Sequence, residues 1–416
     1  MKIMLIYGKP DVVKKPRFGF SYEMLIISTI LKKDFDVYIK DYSCEKFDEN
    51  ELSWELKEKM IDIVLIECDS FALKRSENIN NVLRTISIIK RINKEIKVIS
   101  YGNQCYISKQ DILGADCTIK NNDINKIILA INKYASCSVP LKYESYDSLP
   151  IVDRKMLQCI DYYKNNKNST LIQTSKGCEN TCIFCQRKGW QKKYEVHSDE
   201  YVIEEFVQLK NEGYRNVWII DENFTFNLSR AKRILQKLII TGATKNMKIF
   251  ISSWANIDYE FLDLAVTCNI KIISFGIETA NENILKFYRK NINLEKVKKM
   301  ILYANSIGLF TVGNFILGAP METEDTINKT FEFIKTCEFD QVNIKTLDYM
   351  IGSELYDSMN EELKSNSHVF ACLENGLNQF TLQELIERKQ NFITYYYSLH
   401  RKKINEKIKK YGTPHD

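Results

Sequence analysis

The cysteines Cys178, Cys182 and Cys185 are the most distinctive group of reactive side chains in this sequence of 416 residues. Thiolates bind iron–sulfur clusters and structural zinc. A structural zinc site is closed by four ligands, usually as two short pairs, and the chain has no second Cys-x-x-Cys. A distant fourth ligand such as Cys159 or Cys268 keeps zinc open as an alternative. Three thiolates suit a 4Fe–4S cluster better, because they leave one iron free to bind a substrate or cosubstrate.

The composition indicates a folded protein, and the lack of a signal peptide or an apolar span leads us to expect it in the cytoplasm. Hydrophobic residues make up 44% of the chain and charged residues 27%, with a net charge of +5. This balance excludes a disordered chain and does not indicate a nucleic-acid-binding module. We find no signal peptide and no apolar run of about 20 residues, so no membrane span is expected. Cytosolic thiols stay reduced, so most of the twelve cysteines are expected to be small buried hydrophobes.

The first third of the chain alternates apolar and amphipathic segments, which is typical of an α/β fold with a parallel sheet. We therefore expect a doubly wound, Rossmann-like domain over residues 1–140. Ligands bind at the carboxyl ends of the strands in such a domain, where Gly8 and the run Gly102, Asn103 and Gln104 are placed. The strands are predicted at residues 2–7, 36–40, 61–66, 96–101 and 114–119, and the helices at residues 22–33, 79–91 and 124–134.

A polar stretch at residues 141–168 is predicted to be a linker, because it contains prolines and lacks periodicity. A second alternating series follows, and the cysteines come directly after its first strand. Six strand–helix units over residues 169–362 predict a partial (β/α)6 barrel, since a full barrel typically needs about 250 residues. Residues 363–416 are expected to form a helical C-terminal segment. The barrel strands are predicted at residues 170–174, 216–220, 248–252, 271–275, 311–317 and 341–347.

The pattern Cys-x-x-x-Cys-x-x-Cys, with Phe184 before the last cysteine, resembles the signature of the radical S-adenosylmethionine (SAM) superfamily. This resemblance implies that Cys178, Cys182 and Cys185 hold a 4Fe–4S cluster whose open iron binds the amino and carboxylate groups of SAM. An electron from the cluster would cleave SAM to methionine and a 5′-deoxyadenosyl radical, which abstracts a hydrogen atom from the substrate. Phe184 would lie against the adenine.

Three later motifs are similar to radical SAM motifs in the same order. Phe-Gly-Ile-Glu-Thr, which ends in Glu278 and Thr279, resembles a strand end that binds the SAM amino group and lies near the ribose. The run from residue 315 to 323 contains Gly318 and Pro320 and resembles a turn that meets the adenine, with Met321 in place of the usual glycine. The run from residue 220 to 225 resembles the end of the second barrel strand.

Four side chains are expected to orient a substrate, namely Asp221, Glu222, Trp254 and Tyr349. Arg289 or Lys290 is a candidate partner of the SAM carboxylate, although a solvated helix face is the expected setting of both.

The N-terminal domain resembles the cobalamin-binding domain of B12-dependent radical SAM enzymes. The resemblance rests on Gly19 in the first loop, on Gly102, Asn103 and Gln104 after the fourth strand, and on Gly114. It implies that these residues contact cobalamin. No histidine precedes position 197, so none in this domain would ligate the cobalt.

The leading hypothesis is a cobalamin-dependent radical SAM methyltransferase that acts on an unactivated carbon of a natural-product, peptide or other small-molecule substrate. Its expected cofactors are a 4Fe–4S cluster, SAM and cobalamin, and its expected partner is an external electron donor of the flavodoxin or ferredoxin type. Neither a membrane nor a nucleic acid is expected as a partner.

Three alternatives remain. A radical SAM enzyme of the same architecture can catalyse cyclisation, ring contraction or rearrangement. A methylthiotransferase-like enzyme would hold a second cluster, for which Cys44, Cys68 and Cys105 are candidates because each follows a predicted strand. The last alternative is a non-catalytic iron–sulfur sensor.

Overall fold

The computed structural model describes residues 1–7, 20–42, 47–68, 77–103, 105, 111–120, 122–135, 138–141, 143–157, 169–189, 193–366 and 368–411. The chain divides into two compact units, Met1–Leu171 and Ile172–Asp416.

The first unit contains a five-stranded parallel sheet with the strand order β2-β1-β3-β4-β5. All five residues of β3 are buried, as expected for a central strand that is covered on both faces. The chain order reverses between β1 and β3, and doubly wound sheets bind ligands at such a point. Residues 8–19, which follow β1, and residues 69–76, which follow Cys68 at the end of β3, lie outside the described residues. The strands are β1 (Lys2–Tyr7), β2 (Asp36–Asp41), β3 (Ile63–Glu67), β4 (Lys97–Tyr101) and β5 (Cys117–Ile119).

The helices of this unit include one that the sequence pattern did not indicate. That helix, α2, is mostly polar and buries only three of its residues, so its apolar periodicity is weak. It begins after Asp48, whose side chain accepts hydrogen bonds from the amides of Asn50 and Glu51. The described helices are α1 (Tyr22–Leu31), α2 (Glu49–Glu58), α3 (Glu77–Ile92) and α4 (Ile124–Asn132).

The segment predicted as a linker is partly packed against the first unit. The amide of Asp153 donates to the hydroxyl of Thr29 at 2.9 Å, and its carboxylate pairs with Lys32. Two short 3-10 helices, Tyr146–Ser148 and Arg154–Met156, lie within this segment.

The second unit contains a six-stranded parallel sheet in the order β13-β12-β11-β10-β9-β6. Each strand after β6 follows its neighbour in the chain through helical connections, which is the repeat of a (β/α) barrel. Two short strands, β7 (Ser175–Lys176) and β8 (Glu195–Val196), form a separate antiparallel pair. The main strands are β6 (Ser169–Ile172), β9 (Asn216–Ile219), β10 (Lys248–Trp254), β11 (Ile270–Glu278), β12 (Phe310–Leu317) and β13 (Gln341–Thr346).

The helices of the second unit pack on the sheet through one large apolar core. They are α5 (Asp199–Asn211), α6 (Leu228–Thr241), α7 (Tyr259–Thr267), α8 (Glu282–Tyr288), α9 (Leu294–Ser306), α10 (Glu324–Cys337), α11 (Glu354–Asp357), α12 (Glu361–Lys364) and α13 (Leu382–Tyr411). Among the described helices, none combines the length and apolar character that crossing a bilayer requires. The structure confirms the predicted fold class: a doubly wound α/β domain, a partial (β/α)6 barrel and a helical C-terminal segment.

Candidate active site

The cysteine loop, residues 177–185, lies at the carboxyl edge of the barrel sheet. It begins at Gly177, whose φ of 86° is in the left-handed region that favours glycine. The amide of Cys185 donates to the carbonyl of Cys182 at 3.1 Å, so the second half of the loop is a tight turn. Cys182 is buried, whereas Cys178 and Cys185 are partly exposed. All three predicted ligands are therefore on one short segment at the edge where barrel enzymes carry out their chemistry.

Asp221, which follows β9, binds the segment that leads into the cysteine loop. Its carboxylate accepts hydrogen bonds from the amide and the hydroxyl of Thr174 at 2.7 and 2.6 Å, and from the hydroxyl of Ser175 at 2.6 Å. Burial raises the pKa of this carboxyl to about 6. Because these donors occupy both carboxylate oxygens, Asp221 positions the cysteine loop. The expectation that it orients a substrate is not supported by these contacts.

Two further side chains fix the same segment. Glu222 accepts a hydrogen bond from the amide of Gly177 at 2.9 Å and pairs with Arg187 at 3.2 Å. Arg230 of α6 is buried and donates to the carbonyl oxygens of Thr174 and His197 at 2.9 and 2.8 Å. Sequence reasoning missed Arg230, because a single arginine in an amphipathic helix carries no signal of burial.

Cys178 and Cys182 lie in a setting that keeps their free thiols protonated. Burial raises the pKa of Cys178, and it raises the pKa of Cys182 to about 12, against the opposing influence of the Lys290 ammonium. The side-chain amide of Asn180 donates to the sulfur of Cys178 at 3.3 Å. Binding of iron at these thiols would therefore release protons.

The donor set fits an iron–sulfur cluster. Cys178 and Cys182 both lie within electrostatic range of Cys185, and the positive charge of Lys290 partly offsets the effect of burial on the pKa of Cys182. Within the described ranges, no three His, Cys, Asp or Glu side chains are grouped closely enough to hold a single metal ion. Thiolates of one cluster bind different irons, so they stand farther apart than the ligands of a single ion.

Phe184 and Ile183 connect the cysteine loop to the following elements. The ring of Phe184 meets that of Tyr288 edge to face, with centroids 5.1 Å apart. The Ile183 amide donates to the Tyr288 carbonyl at 3.4 Å, and its carbonyl accepts from the amide of Leu355 at 3.2 Å. Phe184 is half-buried, so the exposed part of its side chain is available for contact with a ligand.

Glu278 ends β11 in a strained conformation and forms a buried ion pair. Its φ is 74°, and the register with β12 shifts between Gly276 and Glu278. Lys290 lies 3.0 Å from its carboxylate and donates to the Gly276 carbonyl at 2.8 Å. A Cβ atom at position 276 would lie 2.8 Å from a Glu278 carboxylate oxygen, so a larger residue there would displace this carboxylate from its place beside Lys290. Strain of this kind concentrates at functional sites.

Lys290 is buried, so the expectation of a solvated helix face was wrong for this residue. Its ammonium lies 4.0 Å from the centroid of the Trp254 ring, which is a cation–π distance. The expectation holds for Arg289, which pairs with Glu354 at the surface. Trp254 and Glu278 together explain why a lysine is stable at this depth.

The hydroxyl of Thr279 points into the protein. It lies 3.2 Å from the hydroxyl of Thr330 and accepts a hydrogen bond from the amide of Asn281 at 3.2 Å, and the residue is fully buried. These contacts shape the turn after β11. The predicted contact between Thr279 and the ribose of SAM remains a prediction, and the hydrogen bonds of Thr279 within the protein do not support it.

Gly318 and Glu322 form a compact turn after β12. The buried Glu322 carboxylate accepts hydrogen bonds from the amides of Gly318 and Ala319 at 2.6 and 3.1 Å. Asn378 donates to the Ala319 carbonyl at 2.6 Å. Pro320 lies on the exposed side of this turn. The carboxylate thus fixes the backbone that the family resemblance assigns to adenine binding.

We expect Gly318→Ala to lower the free energy of unfolding by about 2 kcal/mol, because the residue has a positive φ and a crowded position. Its φ is 102°, and an added Cβ would lie 3.0 Å from the backbone oxygen of Ala371. Gly213→Ala is the matched control, since its φ is 86° and nothing lies within 4 Å of the added Cβ. Thermal unfolding of both variants separates the steric contact from the backbone strain. Equal losses would show that Ala371 does not crowd position 318.

We expect the stability of the barrel to fall as the pH rises from about 4.5 to about 7, owing to Glu322. Burial raises the pKa of this carboxyl to about 7. The folded state therefore holds the proton more tightly than the unfolded state, and the associated stability, about 3 kcal/mol, is lost as the pH rises through the folded pKa. Glu322→Gln should reduce this dependence in thermal melts recorded across that range, and the remaining slope should come from Asp221, whose pKa burial also raises. A variant that keeps the wild-type slope would exclude Glu322 as the cause.

The residues predicted to contact cobalamin do not all lie at the same edge of the first sheet. Gly102, with φ 118°, and Asn103 follow β4 at the carboxyl edge of the first sheet. Gly114 precedes β5 and is therefore at the opposite edge of the sheet. Its φ is 85°, and a Cβ atom added there would lie 2.9 Å from the Ile86 side chain, so this position requires glycine. The prediction that Gly114 contacts cobalamin conflicts with this position. Gly19 and Gln104 lie outside the described residues.

Cys68 and Cys105 lie close together at the carboxyl ends of β3 and β4. The amide of Cys68 donates to the carbonyl of Tyr101 at 2.7 Å, and that of Cys105 to the carbonyl of Gly102 at 3.1 Å. The hydrogen bond between the two thiols, together with burial, raises the pKa of Cys68. Both cysteines are buried, and Cys44 lies outside the described residues.

Comparison with known proteins agrees with the geometry of the cysteine loop. Residues 172–334 match the family model of the Radical SAM superfamily. The second unit of this chain thus contains a radical SAM domain.

Sequence and structural similarity to known proteins extends over most of the chain. An uncharacterized methyltransferase from Pyrococcus horikoshii is 25% identical over 86% of this chain and 83% of its own length. The ribosomal protein uS12 methylthiotransferase RimO from Caldanaerobacter subterraneus subsp. tengcongensis is 24% identical over 58% of this chain and 56% of its own. The structure of TsrM, a radical SAM methyltransferase from Kitasatospora setae with cobalamin and a 4Fe–4S cluster bound, superposes with a TM-score of 0.73. It is 14% identical and covers 87% of this chain and 78% of that chain, so the likeness concerns the fold.

Proposed function

We propose that this protein is a cobalamin-dependent radical SAM methyltransferase that acts on an unactivated carbon of a small-molecule or peptide substrate. The observation that carries the proposal is the cysteine loop. Its three thiols lie at the carboxyl edge of a radical SAM domain, on a segment held by Asp221 and Glu222. The similarity to methyltransferases over most of the chain supports methyl transfer as the reaction.

Cys178, Cys182 and Cys185 would hold the cluster, which supplies the electron for SAM cleavage when it is bound. Phe184, Glu278 and the Gly318 turn surround the position proposed for SAM. Protein residues contribute by binding, orienting and excluding water. The buried pair of Glu278 and Lys290 provides charges of both signs within 3.0 Å, a suitable environment for a zwitterionic amino acid group.

Cobalamin binding is supported by the doubly wound first unit and by its strand order. Gly102 and Asn103 stand at the carboxyl edge where such sheets bind cofactors. Their positions suit backbone contacts with a corrin. The first 171 residues contain no histidine, so any axial ligand from this unit would be another residue or water.

The proposal includes a cytoplasmic location and an external electron donor of the flavodoxin or ferredoxin type. Reductive cleavage of SAM needs a low-potential electron, and the residues of the chain cannot supply one without a donor. We expect no nucleic acid among the partners, since the net charge is only +5.

Anaerobic purification with iron and hydroxocobalamin, followed by quantification of iron, sulfide and corrinoid, tests the proposal. We expect about four irons and about one tightly bound corrinoid per chain. After reduction, SAM should be converted to S-adenosylhomocysteine and 5′-deoxyadenosine. A cluster without corrinoid despite the supply would remove cobalamin from the proposal. Deoxyadenosine without S-adenosylhomocysteine would favour non-methylating radical chemistry.

A methylthiotransferase is the second candidate, because Cys68 and Cys105 adjoin each other at one sheet edge. Methylthiotransferase relatives also match this chain. This candidate predicts a second cluster, and so about eight irons per chain. Cys68→Ala should then lower the iron content by about half, whereas under the leading proposal it should leave the iron content unchanged.

A further inference from the structure

Tyr288, the last residue of α8, lies among the three segments of the candidate SAM site. Its ring contacts Phe184 of the cysteine loop, and its carbonyl accepts the hydrogen bond from Ile183. Its side chain belongs to the same apolar cluster as Ala319, which follows β12. Glu278 at the end of β11 is within electrostatic range. Tyr288 thus contacts or adjoins every segment that is proposed to surround SAM.

The hydroxyl of Tyr288 has no hydrogen-bond partner among the residues that the structure describes, although the side chain is 0% exposed. An unpaired buried hydroxyl is unfavourable, and buried polar groups nearly always have a partner. Tyr396 illustrates the usual arrangement, since its buried hydroxyl donates to the carbonyl of Phe339 at 2.6 Å. A phenylalanine at position 288 would fill the same apolar space without this cost. Since the hydroxyl has no accessible surface in the ligand-free structure, a ligand becomes its partner only when the side chains that cover it move.

The chemistry of that partner follows from the charges around the phenol. Burial raises the pKa of Tyr288 well above its usual value, and the carboxylates of Glu322 and Glu278 raise it further. The hydroxyl therefore keeps its proton and acts as a donor. The missing partner must be an acceptor, an oxygen or an unprotonated nitrogen. SAM carries both, in its carboxylate, its ribose and its adenine.

We infer that the hydroxyl of Tyr288 donates a hydrogen bond to bound SAM, which makes Tyr288 a SAM-binding residue in addition to those in the cysteine loop and at the strand ends. This inference rests on the proposed function. It assigns a role to one atom, so removal of that atom alone is the appropriate test.

Calorimetric titration of SAM into the reconstituted protein provides the test, with the cluster oxidised so that SAM stays intact. Tyr288→Phe should weaken SAM binding about tenfold, the effect of losing one hydrogen bond from an enclosed site. Without SAM, its melting temperature should equal or exceed that of the wild type, because the variant removes an unpaired buried group.

Tyr396→Phe is the matched control, because it removes a hydroxyl that is paired within the protein. It should lower the melting temperature and leave the affinity for SAM unchanged. The two variants should therefore show opposite patterns in the two measurements.

Two results would overturn the inference alone: a Tyr288→Phe variant that binds SAM as tightly as the wild type, or one whose SAM-free melting temperature falls as in Tyr396→Phe. The second result would mean that a water or a protein group already pairs with the hydroxyl. A reconstituted wild-type protein that does not bind SAM would instead overturn both the proposed function and this inference.

Discussion

Cys182→Ala is expected to abolish cluster binding and, with it, all reductive cleavage of SAM. The loss should exceed about three orders of magnitude in rate, because no remaining group can deliver an electron to the sulfonium. Iron and sulfide analysis after anaerobic reconstitution measures the first effect, and chromatography of 5′-deoxyadenosine measures the second. Cys182 is the most buried of the three cysteines.

Cys268→Ala is the matched control for this variant. Cys268 is a buried thiol of the same unit, and its sulfur lies 3.7 Å from the hydroxyl of Thr244 in the apolar core. Its replacement should lower stability slightly and leave iron content and SAM cleavage at wild-type levels. If Cys182→Ala retained the full iron content, the cysteine loop would not be the cluster site.

Lys290→Met is expected to lower the free energy of unfolding by about 3–5 kcal/mol, because it leaves a buried carboxylate without its counter-ion. The side chains of Lys290 and Glu278 are only 2% and 12% exposed. The methionine keeps the contact with Trp254 through its apolar stem but provides no charge. Urea unfolding at neutral pH measures the loss.

Two controls separate charge burial from other effects of this substitution. The double variant Lys290→Met with Glu278→Gln should recover most of the loss, since no unpaired charge remains. Arg289→Met removes the neighbouring cation, whose pair with Glu354 is 42% and 37% exposed, and should cost less than about 1 kcal/mol. Similar losses in Lys290→Met and Arg289→Met would refute the argument from burial.

Sequence patterns predicted the strands well, because apolar runs between turn residues are strong local signals. The first strand has the predicted bounds, Lys2–Tyr7. The eleventh strand extends three residues past its predicted end at Phe275, since Gly276 interrupts the apolar pattern while the strand continues to Glu278. The polar helix Glu49–Glu58 was missed, because tertiary contacts support it more than its own periodicity does.

The candidate site could be predicted from the sequence only in part. The spacing of the cysteines predicted their shared loop, because a loop is local. The burial of Asp221, Arg230 and Lys290 depends on partners that are remote in the chain, and such pairing leaves no local pattern. Asp221, for example, is 47 residues from Thr174, whose amide and hydroxyl it binds. The functional meaning of a charged side chain thus depended on contacts that only the folded structure provides.

The left-handed backbone at Glu278 has a consequence for how this protein changes under selection. A residue other than glycine at a φ of 74° is disfavoured by about 1–2 kcal/mol. Glycine there would relieve the strain but remove the carboxylate. Glycine would also leave the buried Lys290 ammonium without its counter-ion, which costs more than the strain. Mutant libraries that are screened only for heat resistance should therefore gain glycine at position 278 only together with an uncharged residue at position 290, and libraries screened for turnover should retain the glutamate. The identities of residues 278 and 290 together would report which of the two pressures a population has experienced.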